Sequence, residues 1–255
     1  MANQRPERDQ PRPQADAVPH PPIVPRARWR VERLKLLEQE KALTRTYDRV
    51  AAERRRLPMV PVAQDYVFAG TSGQRSLLEL FAGRRQLIIY HFMFDPKWEK
   101  GCPGCTGFIN ALGDLSLLAE RDTTFAVISR APLTKVQAYQ AEKGWDIDWL
   151  SSFANTFNRD FHVTLDPAAG PIEYNYRSKA EMEAAKGHAV TLEGEAHGLS
   201  VFFRVDERVH HTYSAYARGC ESVTDAYRLL DLTPYGRQQE FEKSPAGWPQ
   251  RPTYG

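Results

Sequence analysis

Cys102 and Cys105 stand three residues apart in a Cys-Pro-Gly-Cys motif, and the chain holds one further cysteine, Cys220. Residues three apart on a helical turn are neighbours, so such a pair can cycle between dithiol and disulfide. The motif falls where an apolar strand, Gln-Leu-Ile-Ile-Tyr-His-Phe-Met-Phe (86–94), gives way to a helix predicted from about Thr106 to Arg121. A helix N-terminus offers unpaired N–H groups and a partial positive charge, and both favour a thiolate over a thiol. That lowers the first cysteine's pKa from about 8.5 toward neutrality, and the thiolate is the species that attacks disulfides and peroxides. Pro103 suits a first helical position, where the N–H it lacks would have found no partner. Cys102 reads as a nucleophile and Cys105 as its resolving thiol.

Two plainer readings stand beside this one. A CxxC can be half of a zinc site, which needs two more ligands at a partner spacing. The chain offers Cys220 and seven scattered histidines, with no second CxxC and no HxxxH, so no metal is expected. Paired cysteines can also be inert core residues; the strand–loop–helix setting argues for redox chemistry instead. Cys220 reads as a buried small hydrophobe.

The elements that must position the pair follow from composition and pattern. With 255 residues and 42% hydrophobic content the chain can build one large domain. A net charge of +2 suggests neither a nucleic-acid nor a membrane-surface partner, and no apolar run approaches the roughly 18–20 residues of a membrane span. The polar, proline-rich start has no signal-peptide core, which leads us to expect a cytoplasmic protein. There a CxxC is catalytic or metal-binding rather than a permanent staple.

Residues 1–27 carry seven prolines and read as a disordered tail. Residues 28–56 read as a helical arm whose apolar stripe, Trp29, Leu36, Leu43, Val50 and Leu57, recurs every seven residues. Arg33, Glu40 and Arg54 occupy the second row that a coiled coil would want apolar. The arm is therefore expected to lie largely against its own domain, with a homodimer through it as the competing arrangement. Residues 57–234 form the domain, and 235–255 a C-terminal loop tail.

Within the domain, an extended stretch at 66–68, a turn at Gly70–Gly73 and a short helix at 76–81 lead into the strand at 86–94. Thr123–Ser129 is a β-branched run fit for a buried parallel strand. Pro132 opens the next helix and Gly144 closes it; a short strand follows near Phe161–Leu165. After an irregular stretch at 166–198 come a hairpin of Leu199–Val205 with Val209–Tyr213 and a last helix near 220–231. Strands alternating with helices imply βαβ units, a mainly parallel central sheet and an antiparallel C-terminal hairpin. A CxxC after the strand of such a unit reads as thioredoxin-like.

Several stretches carry a resemblance: Ala51–Val60, Arg84–Phe94, Gly101-Cys-Pro-Gly-Cys105, Ser129-Arg-Ala-Pro132, Tyr213–Gly219 and Leu230–Pro234 resemble the domain-of-unknown-function family 899. The similarity covers about Arg33 to Pro234. It implies a thioredoxin-like three-layer α/β fold and supplies no known reaction. The stretch from Tyr66 to Cys105 is also similar to the start of peroxiredoxin-type and thioredoxin-like reductase domains. Thioredoxins place a proline just before the strand facing the CxxC. The corresponding place, near Gly198-Leu199-Ser200, has none, and no proline occurs between Pro171 and Pro234. Thioredoxins carry C-G-P-C where this chain has C-P-G-C, and Lys100-Gly-Cys102 does not match the threonine of the peroxiredoxin motif.

Around the dithiol, Trp98 is a candidate wall of a substrate groove. His210, with Tyr213, Tyr216 and Arg218, is a candidate lining from the hairpin, with ordinary packing as the alternative. Lys97 or Lys100 would stabilise the thiolate, and His91 reads as a core histidine. The expected function is a thiol–disulfide oxidoreductase or thiol-dependent peroxide reductase, needing no cofactor and regenerated by an external dithiol. The alternatives are a non-catalytic interaction module with the same fold and a metal-binding thioredoxin relative using Cys102, Cys105 and a histidine.

Overall fold

The computed structural model describes residues 19–250, so most of the predicted N-terminal tail and the last five residues lie outside the described residues. The arm is one helix, α1 (Arg26–Arg54), uninterrupted by glycine or proline. It does not lie against the domain as expected. Trp29, Leu36, Leu43, Val50 and Leu57 are all exposed, and no residue of α1 is buried. Both faces of the sheet are already filled by the domain's own side chains, and ion pairs such as Arg33–Glu40 (2.7 Å) run along the helix instead. Near its end the Arg54 guanidinium stacks 4.7 Å over the Tyr213 ring.

The strands in chain order are β1 (Val60–Pro61), β2 (Val67–Gly70), β3 (Gly73–Ser76), β4 (Gln86–His91), β5 (Thr123–Ser129) and β6 (Trp149–Ser151). They continue with β7 (Thr164–Leu165), β8 (Glu173–Tyr174), β9 (Arg177–Ser178), β10 (Gly194–Glu195), β11 (Gly198–Val205) and β12 (Arg208–Tyr216). Eight of them make one sheet in the order β1-β12-β11-β4-β5-β6-β2-β3. β4, β5 and β6 are parallel at its centre, with the β11–β12 hairpin added antiparallel to β4 and the β2–β3 hairpin antiparallel to β6. The third parallel strand is thus Trp149–Ser151, a run too short to stand out. The strand expected near 161–165 shrinks to β7, which pairs with β10 outside the main sheet.

The remaining helices are α2 (Pro103–Asn110), α3 (Ser116–Glu120), α4 (Leu133–Lys143), α5 (Phe157–Asp160), α6 (Lys179–Lys186) and α7 (Asp225–Leu230). The helix expected over 106–121 starts earlier, at Pro103, and breaks after Asn110. Gly113 and Asp114 make the break, and the Asp114 carboxylate accepts from the Ser116 N–H at 2.8 Å to open α3. The helix expected near 220–231 is a 3-10 stretch, Ala217–Val223, followed by α7.

Alternation along β4 sends Leu87, Ile89 and His91 to one face and Ile88 and Tyr90 to the other. The first face packs Leu80, Phe81, Phe157, Phe161 and Phe202; the second packs α2 and α4 through Cys105, Phe108, Val136 and Tyr139. The result is a thioredoxin-like α/β fold with helical segments on both faces of a mixed sheet. Among the described residues no helix is long and apolar enough to cross a membrane.

Candidate functional site

The dithiol sits past the C-terminal end of β4, where the edge of the parallel centre meets β11. Phe92 still donates to the Ile128 carbonyl, after which the chain leaves the sheet through Asp95–Lys100. Two cations fasten that loop. Arg130, at the end of β5, pairs with Asp95 and, at 2.6 Å, with Glu195, whose side chain is fully buried. Lys135 donates to the carbonyls of Pro96 (3.2 Å) and Trp98 (2.9 Å). The chain bends at residues 99 and 100 and then passes Gly101 against the core, where a Cβ would stand 2.6 Å from the Phe92 ring. Only glycine allows that approach.

Cys102 is the N-cap of α2, with Pro103 in the first turn; its own N–H donates to the Met93 carbonyl at 3.1 Å. Its thiol is half-buried, whereas Cys105 one turn on is buried and accepts from the Met93 N–H at 3.4 Å. The Cys102 thiol is pulled down to about 6. The main cause is the hydrogen bond that Cys105 donates to its sulfur; burial opposes it, and backbone N–H bonds from Cys105 and Gly104 add smaller pulls in the same direction as the thiol. Burial and the same interaction push Cys105 well above the ordinary thiol range, opposed by the phenol of Tyr90, which donates to it. Tyr90, Cys105 and Cys102 therefore form one hydrogen-bonded run that ends at the reactive sulfur. The lysines contribute nothing to it: Lys100 faces Glu142 at 3.8 Å and Lys97 is exposed.

Cys102 and Cys105 open onto a cavity of about 590 Å³. Met93, Phe108, Leu165, Tyr174, Leu192 and Phe241 supply much of its wall, with Glu195, His197, Arg218 and Glu221 as polar members. Burial raises the Glu195 carboxyl above its usual range and holds His197 below its own. Cys220, predicted to be a buried hydrophobe, is buried but also lines this cavity. Its Sγ donates to the Ala215 carbonyl at 3.3 Å, and burial pushes its pKa up to about 12.

Of the other residues singled out from the sequence, Arg218 reaches the cavity wall. Tyr216 pairs with Gly198 at the right end of the hairpin, yet its hydroxyl points away to the Phe161 carbonyl at 3.0 Å. Trp98 packs at the edge of the core on the cysteine side, outside the cavity wall. Tyr213 lies mid-strand opposite Val201, under Arg54. His210 pairs with Phe203, which pairs with Gln86, so it sits at the end of the sheet remote from the cysteines. A groove role for His210 has no geometry behind it, because the antiparallel register carries the tip of the hairpin away from the site. Tyr90, Glu195, His197 and Phe241 were not anticipated; alternation along 86–91 could have pointed to Tyr90, and nothing local marks the others. Among the described residues no group of three or more His, Cys, Asp or Glu side chains is arranged to hold a metal ion.

Solved structures similar to this chain include a mutant of peroxiredoxin Q from Xanthomonas campestris, 15% identical over 68% of this chain and 98% of that one, with a TM-score of 0.43. Others are the peroxidoxin BcpB from Mycobacterium tuberculosis (16% identical, 64% and 85% covered, TM-score 0.41) and the thioredoxin peroxidase I of Plasmodium yoelii (14% identical, 69% and 88% covered, TM-score 0.41). None of the curated proteins matches the chain. The family model described as "Bacterial protein of unknown function (DUF899)" matches residues 18–254, and the chain belongs to that family.

Proposed function

We propose that this protein is a dithiol-dependent reductase, acting on a disulfide or a peroxide, with Cys102 as nucleophile and Cys105 as resolving thiol. The observation that carries the reading is the asymmetry of the pair: a half-exposed sulfur pulled down to about 6, facing a cavity, with a protonated buried thiol hydrogen-bonded behind it. At neutral pH Cys102 is the thiolate that attacks, and Cys105 keeps its proton until the first covalent step removes the negative charge beside it. Cys105 then closes the internal disulfide, and an external dithiol returns two electrons and two protons.

The test is thiol titration with turnover. The reduced protein should lose two thiols to one equivalent of oxidant, with an alkylation midpoint near 6 for Cys102. Cys102→Ser should form no internal disulfide and lose turnover on the order of 10³-fold or more. A midpoint at or above about 8.5 with no disulfide under mild oxidant would instead support the non-catalytic interaction module.

A further inference from the structure

The cavity beside Cys102 is larger and more apolar than thiol chemistry alone requires. At about 590 Å³ it falls in the range of roughly 300–1,000 Å³ that encloses drug-sized ligands. Hydrogen peroxide would occupy little more than one water's share of liquid, about 30 Å³. Its roof comes from outside the βαβ centre. Leu192 and Glu193 belong to the segment entering β10, and Phe241 belongs to a 3-10 turn, Glu240–Glu242, in the stretch expected to be a loose C-terminal tail.

That turn is fastened over the cavity. The Arg218 guanidinium stacks 3.6 Å over the Phe241 ring. Arg237, four residues upstream, pairs with Asp231 and with the buried Glu221, each at 2.7 Å. The Arg237 N–H donates to the Glu242 carboxylate at 3.0 Å, closing the turn on itself. Glu221 and Arg218 are themselves cavity residues, so roof and wall are one hydrogen-bonded unit. A protein disulfide needs open backbone surface around the nucleophile, whereas Cys102 opens onto a cavity that Leu192, Glu193 and Phe241 also line.

Resting on the redox reading of Cys102 and Cys105, we infer that the cavity is a small-molecule site and that the oxidant Cys102 attacks is an apolar organic molecule carrying one reducible O–O or S–S bond, seated beneath Phe241. With a hydroperoxide, the Cys102 thiolate attacks the terminal oxygen, which keeps its hydrogen: an S–O bond forms to give the sulfenic acid, the O–O bond breaks, and the other oxygen leaves as an alcohol after taking one proton from water. Cys105 then displaces water from the sulfenic acid to give the internal disulfide. With an S–S bond, Cys102 forms a mixed disulfide and releases one thiol, and Cys105 releases the second. Either route consumes two electrons from the dithiol, which an external dithiol restores.

The experiment uses the full chain with dithiothreitol as reductant and four oxidants: hydrogen peroxide, cumene hydroperoxide, 4,4′-dithiodipyridine and insulin. At least one of the two apolar probes should oxidise Cys102 ten or more times faster than hydrogen peroxide and insulin do, and which one reacts identifies the bond. In Phe241→Asp the ratio of that rate to the hydrogen peroxide rate should fall at least tenfold. Leu192→Asp, from the other roof segment, carries the same expectation if Phe241→Asp fails to fold. Calorimetry on Cys102→Ser should show saturable binding of cumyl alcohol that the added Phe241→Asp change abolishes. Hydrogen peroxide or insulin reacting as fast as both apolar probes, with ratios unmoved by the roof variants, overturns this inference and leaves the redox reading standing. Binding of cumyl alcohol without reaction of any oxidant overturns the redox reading and leaves the site.

Discussion

Tyr90 and His91 are adjacent on β4 and point to opposite faces, and the two faces bury polar groups to opposite effect. On one side the Tyr90 phenol, Cys105 and Cys102 make a run that ends at a half-exposed sulfur in a cavity. On the other, His91 Nε2 meets the Ser200 hydroxyl at 2.8 Å, Ser200 meets Ser214 at 2.8 Å, and Ser214 meets His211 Nε2 at 2.8 Å. This second run crosses β4, β11 and β12 beneath Phe157, Phe161 and Phe202. Burial, with His211 a lesser contributor, drives His91 down to about 3, and burial holds His211 below its usual range, so both stay neutral at pH 7. The second run is three hydrogen bonds of 2.8 Å between oxygen and nitrogen atoms, while the first passes through sulfur. What separates them is where they end: the thiolate opens onto a cavity, while the second run goes from the fully buried His91 to the half-buried His211 and serves the packing of three strands.

If that division is right, substitutions on the two faces should separate stability from thiol chemistry. The largest effect belongs to His91→Ala. Emptying a fully buried site and removing one of the two hydroxyl partners of Ser200 should cost on the order of 2–4 kcal/mol in urea unfolding. The Cys102 titration midpoint should stay near 6; movement of that midpoint would show that the faces are coupled. The same histidine sets a pH signature. Its folded pKa, about 3, lies below the unfolded value of 6.5, so the stability it confers is complete above 6.5 and is lost as pH falls toward 3. In His91→Ala the fall in stability between those values should flatten.

Next in size is Cys105→Ala. Because the Cys105 thiol is the main support of the Cys102 thiolate, its loss should move the Cys102 midpoint up from about 6 toward the ordinary thiol value of 9.0. Iodoacetamide alkylation at pH 7 should slow roughly tenfold as the thiolate fraction drops. An unchanged midpoint would assign the depression to the end of α2 alone and remove the contrast between a connected run and a passive one.

Much of this was legible in the chain, and the parts that were not have a common cause. β4, β5 and the β11–β12 hairpin have long or alternating patterns, and Pro103 marks the start of α2, so the cysteines could be placed from sequence. Trp149–Ser151 is too short to carry a pattern, and Gly113-Asp114 breaks a helix although leucines flank it on both sides. His210 was misplaced because its distance from the site depends on strand register, which pairs it with Phe203 and so with the far end of β4. The roof was invisible for the same kind of reason. Phe241 and Leu192 lie far along the chain from Cys102, and their meeting depends on contacts such as Arg218 over Phe241 that no local periodicity encodes. The exposed stripe of α1 shows the converse, since a seven-residue repeat states that a face is apolar without stating what covers it.

The smallest effect and the sharpest discrimination come from Tyr90→Phe. The change removes only a hydroxyl; the ring keeps its stacking on Phe108, whose centroid lies 4.1 Å away. What is lost is the donor to Cys105, worth about 1 kcal/mol for a single hydrogen bond. Without it the Cys105 thiolate is harder to form, so closure of the internal disulfide should slow by a few-fold after a normal first step. Stopped-flow measurement of the two phases separates them: the attack by Cys102 should keep its rate and its midpoint, while the resolving phase lags. Unfolding free energy should change by less than about 1 kcal/mol, since Cys105 keeps its bond from the Met93 N–H. Should Tyr90→Phe instead destabilise the protein as His91→Ala does, with both phases unaltered, the phenol would be core packing like the imidazole behind it, and the division between the faces would fail.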